Sequence, residues 1–158
     1  MDAPKRNILF ICKDNSALSI MAETLINNLP VSKFKFKGYS AGSHLFGHTN
    51  PLALEILEEY GLSTAGVFSK SWDEFTKPDA PTMQFVITVC GQAFCEQHPT
   101  WPGQPVTAFW CAHDPVAVDG EDEDEKKRNA FKDAFLVLRR RIELFAYLPL
   151  AKPDALGL

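Results

Sequence analysis

Cys12 follows the short apolar run Ile8–Ile11. After it comes a stretch of mostly small and polar residues, Lys13, Asp14, Asn15, Ser16, Ala17, Leu18 and Ser19, which passes into a helical spacing. A chain that turns from buried strand to helix in this way aims the free N–H groups of the helix start at the turn, and an oxyanion suits that place. Here the turn also holds a thiol. A thiol is mostly protonated at neutral pH, but a helix N-terminus and nearby hydroxyls can lower its pKa until thiolate dominates. Ser19 is placed to donate a hydrogen bond to the Cys12 sulfur. Backbone N–H groups from Lys13 to Ser19 would then surround the equatorial oxygens of a tetrahedral anion. Asn15 tolerates the left-handed backbone that such a loop needs. The alternative is an inert cysteine in an ordinary strand-to-helix turn, since free cysteine is commonly buried.

Other candidates lie further along the chain. Cys90, Cys95 and Cys111 lack the paired short spacing of a zinc site, so no metal is expected. Without a secretion signal, such cysteines are expected to be free, catalytic or redox-active rather than a disulfide framework. Asp114 precedes a proline and, taken alone, reads as an Asp-Pro turn.

The elements that must position these residues alternate in type. Ile8–Ile11 suits a strand buried on both faces. Ile20, Met21, Thr24, Leu25, Asn28 and Leu29 then follow a mostly helical spacing that Pro30 closes. "KFKFKGYSAG" alternates lysine and aromatic residues, which predicts an edge strand with lysines guarding it. "NPLALEILEEYGL" predicts a helix capped by Asn50, with Pro51 at its first position and Gly61 at its stop. "SKSWDEF" predicts a short helix, "QFVITVC" a buried strand ending at Cys90, and "PVTAFW" another short strand. Phe131, Phe135, Leu138, Ile142 and Phe145 recur at three- and four-residue steps, the stripe of a long helix packed on the sheet. The acidic run "DGEDEDE" ahead of it suits the positive end of the helix dipole. Such alternation implies an α/β fold with a mostly parallel sheet covered on both faces. Ligands of such sheets bind beyond the C-terminal strand ends, and Cys12, Cys90 and Asp114 all follow strands there.

A chain of 158 residues has room for a single domain, residues 1–158. The formal charge of -4 opposes a nucleic-acid partner, and the local basic stretch "KFKFK" does not reverse that. No apolar run is long enough for a membrane span, and "MDAPKRNILFICKD" does not read as a signal peptide. A cytoplasmic protein is expected, with no membrane partner.

These motifs resemble the low-molecular-weight protein tyrosine phosphatase family, and more closely its thiol-coupled arsenate reductase branch. "ILFICKDNSALSIMAE" is similar to the family's strand, Cys-x5-Arg-Ser loop and first helix. "SAGSH", "NPLALEILEEYGL", "SKSWDEF", "FVITVCG" and "FWCAHDP" resemble its later segments in order and spacing. The resemblance implies a three-layer sandwich around a central four-stranded parallel sheet. It implies arsenate or phosphate as the small oxyanion, Cys12 as nucleophile, Asn15 as the loop's brace and Asp114 as the general acid. In the reductase branch a second thiol attacks the first sulfur to release arsenite, which implies that role for Cys90. A third thiol then moves the disulfide outward. Cys95 is the candidate, although the related segment usually has a cysteine directly before the proline, where this chain has His98. No bound cofactor is implied. The reducing partner would be an external thiol, either thioredoxin or glutathione with glutaredoxin.

Leu18 departs from the pattern, because the family's arginine clamps two anion oxygens and leucine cannot. Losing such a clamp would cost roughly 10²–10⁴ in rate, by analogy with lost oxyanion donors. Lys13 either supplies a point charge instead or faces solvent. The alternatives to a reductase are a phosphotyrosine phosphatase, which would not need Cys90 and Cys95, and a non-catalytic module that binds an oxyanion or a partner.

Overall fold

The computed structural model describes residues 5–13, 17–43, 49–89, 101–110 and 124–148. Four strands, β1 (Arg6–Cys12), β2 (Phe36–Gly42), β3 (Phe85–Thr88) and β4 (Val106–Phe109), form one sheet in the order β2-β1-β3-β4. Every pairing is parallel, with Cys12 opposite Gly42 and Ile11 opposite both Ala41 and Thr88. All four strands therefore end on one edge, the edge where parallel sheets place their ligands.

Among the described residues three α-helices accompany the sheet: α1 (Leu18–Asn28), α2 (Pro51–Glu59) and α3 (Asp124–Tyr147). Side chains alternate across each strand, so Ile8 and Phe10 face one side of β1 while Leu9 and Ile11 face the other. The first side shares a core with Phe36, Phe85, Ile87 and the buried residues of all three α-helices. The second packs with Ala41, Val86, Met83, Trp101 and Phe75, the last from a short 3-10 helix, Trp72–Phe75. Among the described residues the two faces are thus unequally covered, by α-helices on one side and by a single helical turn with neighbouring loops on the other.

Local chemistry explains the element ends. The Asn50 side chain accepts from the Leu52 N–H at 2.9 Å and caps α2, Pro51 opens it, and Gly61 sits at φ +78° just beyond it. The stripe expected on α3 is buried from Phe131 to Phe145. Phe145 makes ring contacts with Phe36, Phe85 and Trp110 at 5.3, 5.2 and 5.9 Å, which fixes the last turns of α3 on the sheet.

The edge strand differs in one respect from the sequence pattern. Alternation holds from Phe36 to Tyr39, but Phe34 lies in the turn before β2 and is 71% exposed, and Ser40, Ala41 and Gly42 are all buried. The strand starts three residues after Lys33, because the Lys35 and Phe36 N–H groups are committed to the Ser32 carbonyl at 2.9 and 3.0 Å, within the turn that leaves α1. Its end is enclosed by the segment that carries Lys70 and Ser71.

α1 lies close on β2. A Cβ at Gly38 would fall 2.2 Å from Ile26 Cγ2, so only glycine admits this approach. Asn27 bridges the contact, accepting from Gly38 N–H at 2.7 Å and donating to its carbonyl at 3.1 Å.

Candidate active site

Cys12 is the last residue of β1 and Ser19 the second of α1. Strand and helix bring the two side chains together: Cys12 Sγ and Ser19 Oγ are 2.8 Å apart, with the residues 5% and 0% exposed. A serine hydroxyl donating to this sulfur favours the thiolate over the thiol. Ala17 is the N-cap of α1 and supplies no side-chain cap, and the first turn carries no acidic residue. Among the described residues the first turn of α1 thus adds no carboxylate of its own, and an anion beside Cys12 would meet the positive end of the helix.

The neighbouring strand ends converge on the same place. Ser43 N–H donates to the Cys12 carbonyl at 3.4 Å, and Gly42 N–H donates to the Lys70 carbonyl at 3.0 Å. Val89 N–H donates to the Ile11 carbonyl at 2.8 Å, and Trp110 N–H to the Thr88 carbonyl at 2.8 Å. Val89 and Trp110 are thereby held at the ends of β3 and β4. The Trp110 ring is held further by Phe10 at 5.9 Å.

Asp14, Asn15, Ser16, Cys90, Cys95, Cys111 and Asp114 lie outside the described residues. Lys13 is exposed and Ala17 is buried. Leu18 requires a correction. It stands where the family has its clamping arginine, but its side chain is 4% exposed and belongs to the apolar core. As the first residue of a helix packed on the sheet, it takes part in the contact between α1 and the core.

Three residues, Glu23, Ser40 and Lys70, lie in segments quoted for the family resemblance but drew no role from the sequence. Glu23 accepts a hydrogen bond from Ser40 Oγ and pairs with Lys70 Nζ at 3.5 Å, their side chains 13% and 15% exposed. Burial pushes the Glu23 carboxyl above its ordinary value, opposed by the charge of Lys70 and by hydrogen bonds from Ser40 and Lys70. One signal was available: Glu23 lies four residues beyond Ser19, and such neighbours share a helix face. The partners Ser40 and Lys70 are distant in the chain, so no local spacing linked them to Glu23.

Two expectations follow. Cys12 should be the first thiol alkylated at mildly acidic pH, about 6, because its surroundings favour thiolate. Mass mapping of labelled peptides checks this, and Cys111 reacting ahead of an inert Cys12 would exclude the assignment. The second concerns Glu23. Its raised folded pKa means that the native state binds a proton more readily than the unfolded chain, so its contribution to stability is full below 4.5 and is lost as pH rises through the folded value. The stability difference between parent and Glu23→Gln should accordingly shift against the parent across that window, as read by chemical denaturation at several pH values.

Comparison with known proteins places this geometry among related chains. The family model described as low molecular weight phosphotyrosine protein phosphatase matches residues 7–104. The arsenate reductase of Halalkalibacterium halodurans is 30% identical over 142 residues, 90% of this chain and 96% of that protein. The glutaredoxin arsenate reductase of Synechocystis sp. is 28% identical over 110 residues, 70% of this chain and 79% of that one. A solved arsenate reductase in a phosphate-binding state is similar in fold, with a TM-score of 0.68 at 26% identity, covering 89% of this chain and 96% of that one.

Proposed function

This chain belongs to the low-molecular-weight phosphotyrosine protein phosphatase family, and from that premise we propose that it is an enzyme that reduces arsenate to arsenite with electrons from an external thiol. The observation that carries the reading is the Cys12–Ser19 contact at the C-terminal end of β1, beside the uncapped start of α1. It joins a nucleophile, a hydroxyl that stabilises its charged form and the positive end of a helix in one place. The likeness to named arsenate reductases favours reduction over phosphate-ester hydrolysis.

In this reading the Cys12 thiolate attacks arsenic and a sulfur–arsenic bond forms as one oxygen leaves, protonated by Asp114. The Cys90 thiolate then attacks the Cys12 sulfur. A disulfide forms, the sulfur–arsenic bond breaks with its electron pair going to arsenic, and arsenite departs. The two electrons come from the two thiols. Cys95 carries the disulfide outward, and thioredoxin or a glutathione–glutaredoxin pair reduces it. Val89 supports the role of Cys90, because its hydrogen bond to Ile11 holds the residue preceding Cys90 beside the last turn of β1. In the loop, backbone N–H groups from Lys13 to Ser19, with Asp14, Asn15, Ser16 and Ala17 between them, hold the oxyanion. Leu18 adds no charge to that grip, and its side chain packs in the core instead.

Arsenate reduction and aryl-phosphate hydrolysis measured side by side with thioredoxin, with glutaredoxin and with no reductant test this. Arsenite formation that needs one of the reductants is the expected result. Hydrolysis without reduction would favour a phosphatase. Oxyanion binding with neither activity would favour a non-catalytic module, a second reading that the burial of Leu18 in the core supports.

A further inference from the structure

We propose that Glu23 and Lys70 are positioning residues for the Cys12 thiol: as a partly buried pair they hold the early turns of α1 against the end of β2 and so keep Ser19 on the Cys12 sulfur.

The connections form a closed circuit. Cys12 lies opposite Gly42, whose N–H donates to the Lys70 carbonyl at 3.0 Å. The Lys70 ammonium donates to the carbonyls of Ser40 at 3.1 Å and Phe68 at 2.9 Å and pairs with Glu23 at 3.5 Å. Glu23 also takes the Ser40 hydroxyl, so side chains from α1, β2 and the Lys70 segment meet at one carboxylate. One helical turn before Glu23, Ser19 returns to Cys12 at 2.8 Å. A shift of α1 along or about its axis that breaks one end of this circuit strains the other.

Desolvation makes such a pair an expensive way to hold two elements together, and apolar side chains of similar volume often serve stability as well or better. What apolar packing lacks is direction. A carboxylate with a hydroxyl and an ammonium as partners sets the rotation of α1, and a hydrogen bond to sulfur depends steeply on that rotation. The two charges also offset one another, so the pair acts on Cys12 through geometry more than through its field.

The inference rests on Cys12 being the reactive thiol, and its test needs no arsenate. Cys12 alkylation by iodoacetamide is followed against pH in the parent, Glu23→Ala, Lys70→Met and Glu23→Gln, with peptide mapping to separate the four cysteines. Loss of positioning slows Cys12 about tenfold at mildly acidic pH in both Glu23→Ala and Lys70→Met, the size of one weakened charge-assisted hydrogen bond. Glu23→Gln, which keeps an oxygen for Ser40, recovers most of the rate. A field effect would instead move the two variants in opposite directions, since one loses a negative and the other a positive charge. Opposite shifts, or no shift in either, overturn the proposal. Ile26→Val loosens the same helix without touching the pair, by removing a buried methyl group, and should leave the alkylation profile in place; a slowing equal to that of Lys70→Met would make the effect one of general loosening and would also overturn it. If Glu23→Ala does not fold, the signs of Lys70→Met and Glu23→Gln decide. An inert Cys12 in the parent overturns the nucleophile reading and this inference together, whereas a reactive parent with unmoved variants overturns the inference alone.

Discussion

Cys90→Ser is expected to abolish arsenate turnover while leaving any aryl-phosphate hydrolysis near the parent level. The two reactions share their first step, attack by the Cys12 thiolate, and diverge at the adduct. In the proposed scheme a phosphorylated cysteine needs only water, with the Asp114 carboxyl as its assigned partner, to return to thiolate. An arsenylated cysteine must gain two electrons at arsenic, and serine at position 90 cannot supply a sulfur to form the disulfide that releases them. The loss should therefore be complete for catalytic turnover rather than a graded slowing. Arsenite production and hydrolysis measured on the same purified variant check this. Equal loss of both activities would indicate damage to the fold, and undiminished reduction would remove Cys90 from the relay.

The second large effect is on stability and falls at Leu18. This side chain is 4% exposed within the apolar core, so Leu18→Ala should cost roughly 2–5 kcal/mol by the lost transfer energy and the cavity left behind. Leu18→Arg should cost at least as much. It removes the same packing and adds a charged group with five N–H donors to surroundings that offer an aliphatic side chain its contacts. Turnover per folded molecule is then not expected to rise, even though a guanidinium is the better anion ligand in isolation. Urea denaturation with phosphate titration of both variants checks this. A Leu18→Arg protein as stable as the parent and tighter for phosphate would show that the longer side chain leaves the core and reaches the anion.

Features that depend on neighbours within a few residues were legible in the sequence. The strand, turn and helix around Cys12 follow from an apolar run, small polar residues and a helical period, and the Cys12–Ser19 contact needs only that local order. The Asn50 cap of α2 and the apolar stripe of α3 are local in the same sense. The parallel sheet followed from alternation of strands and helices, because parallel strands require crossovers. For Asn15, Cys90, Cys95 and Asp114 the sequence and its family resemblance carry the assigned roles. Tertiary structure decided what periodicity cannot express. Phe34 and Phe36 are equivalent in the alternating pattern, yet the turn after α1 keeps Phe34 in solvent and buries Phe36. Leu18 stands in an anion-loop motif, but as the first residue of a helix packed on the sheet it puts its side chain in the core. Glu23 and Lys70 are ordinary charged residues far apart in the chain. Only the meeting of α1, β2 and the segment before the 3-10 helix makes them a partly buried pair, because burial and ion pairing depend on distances that the fold creates.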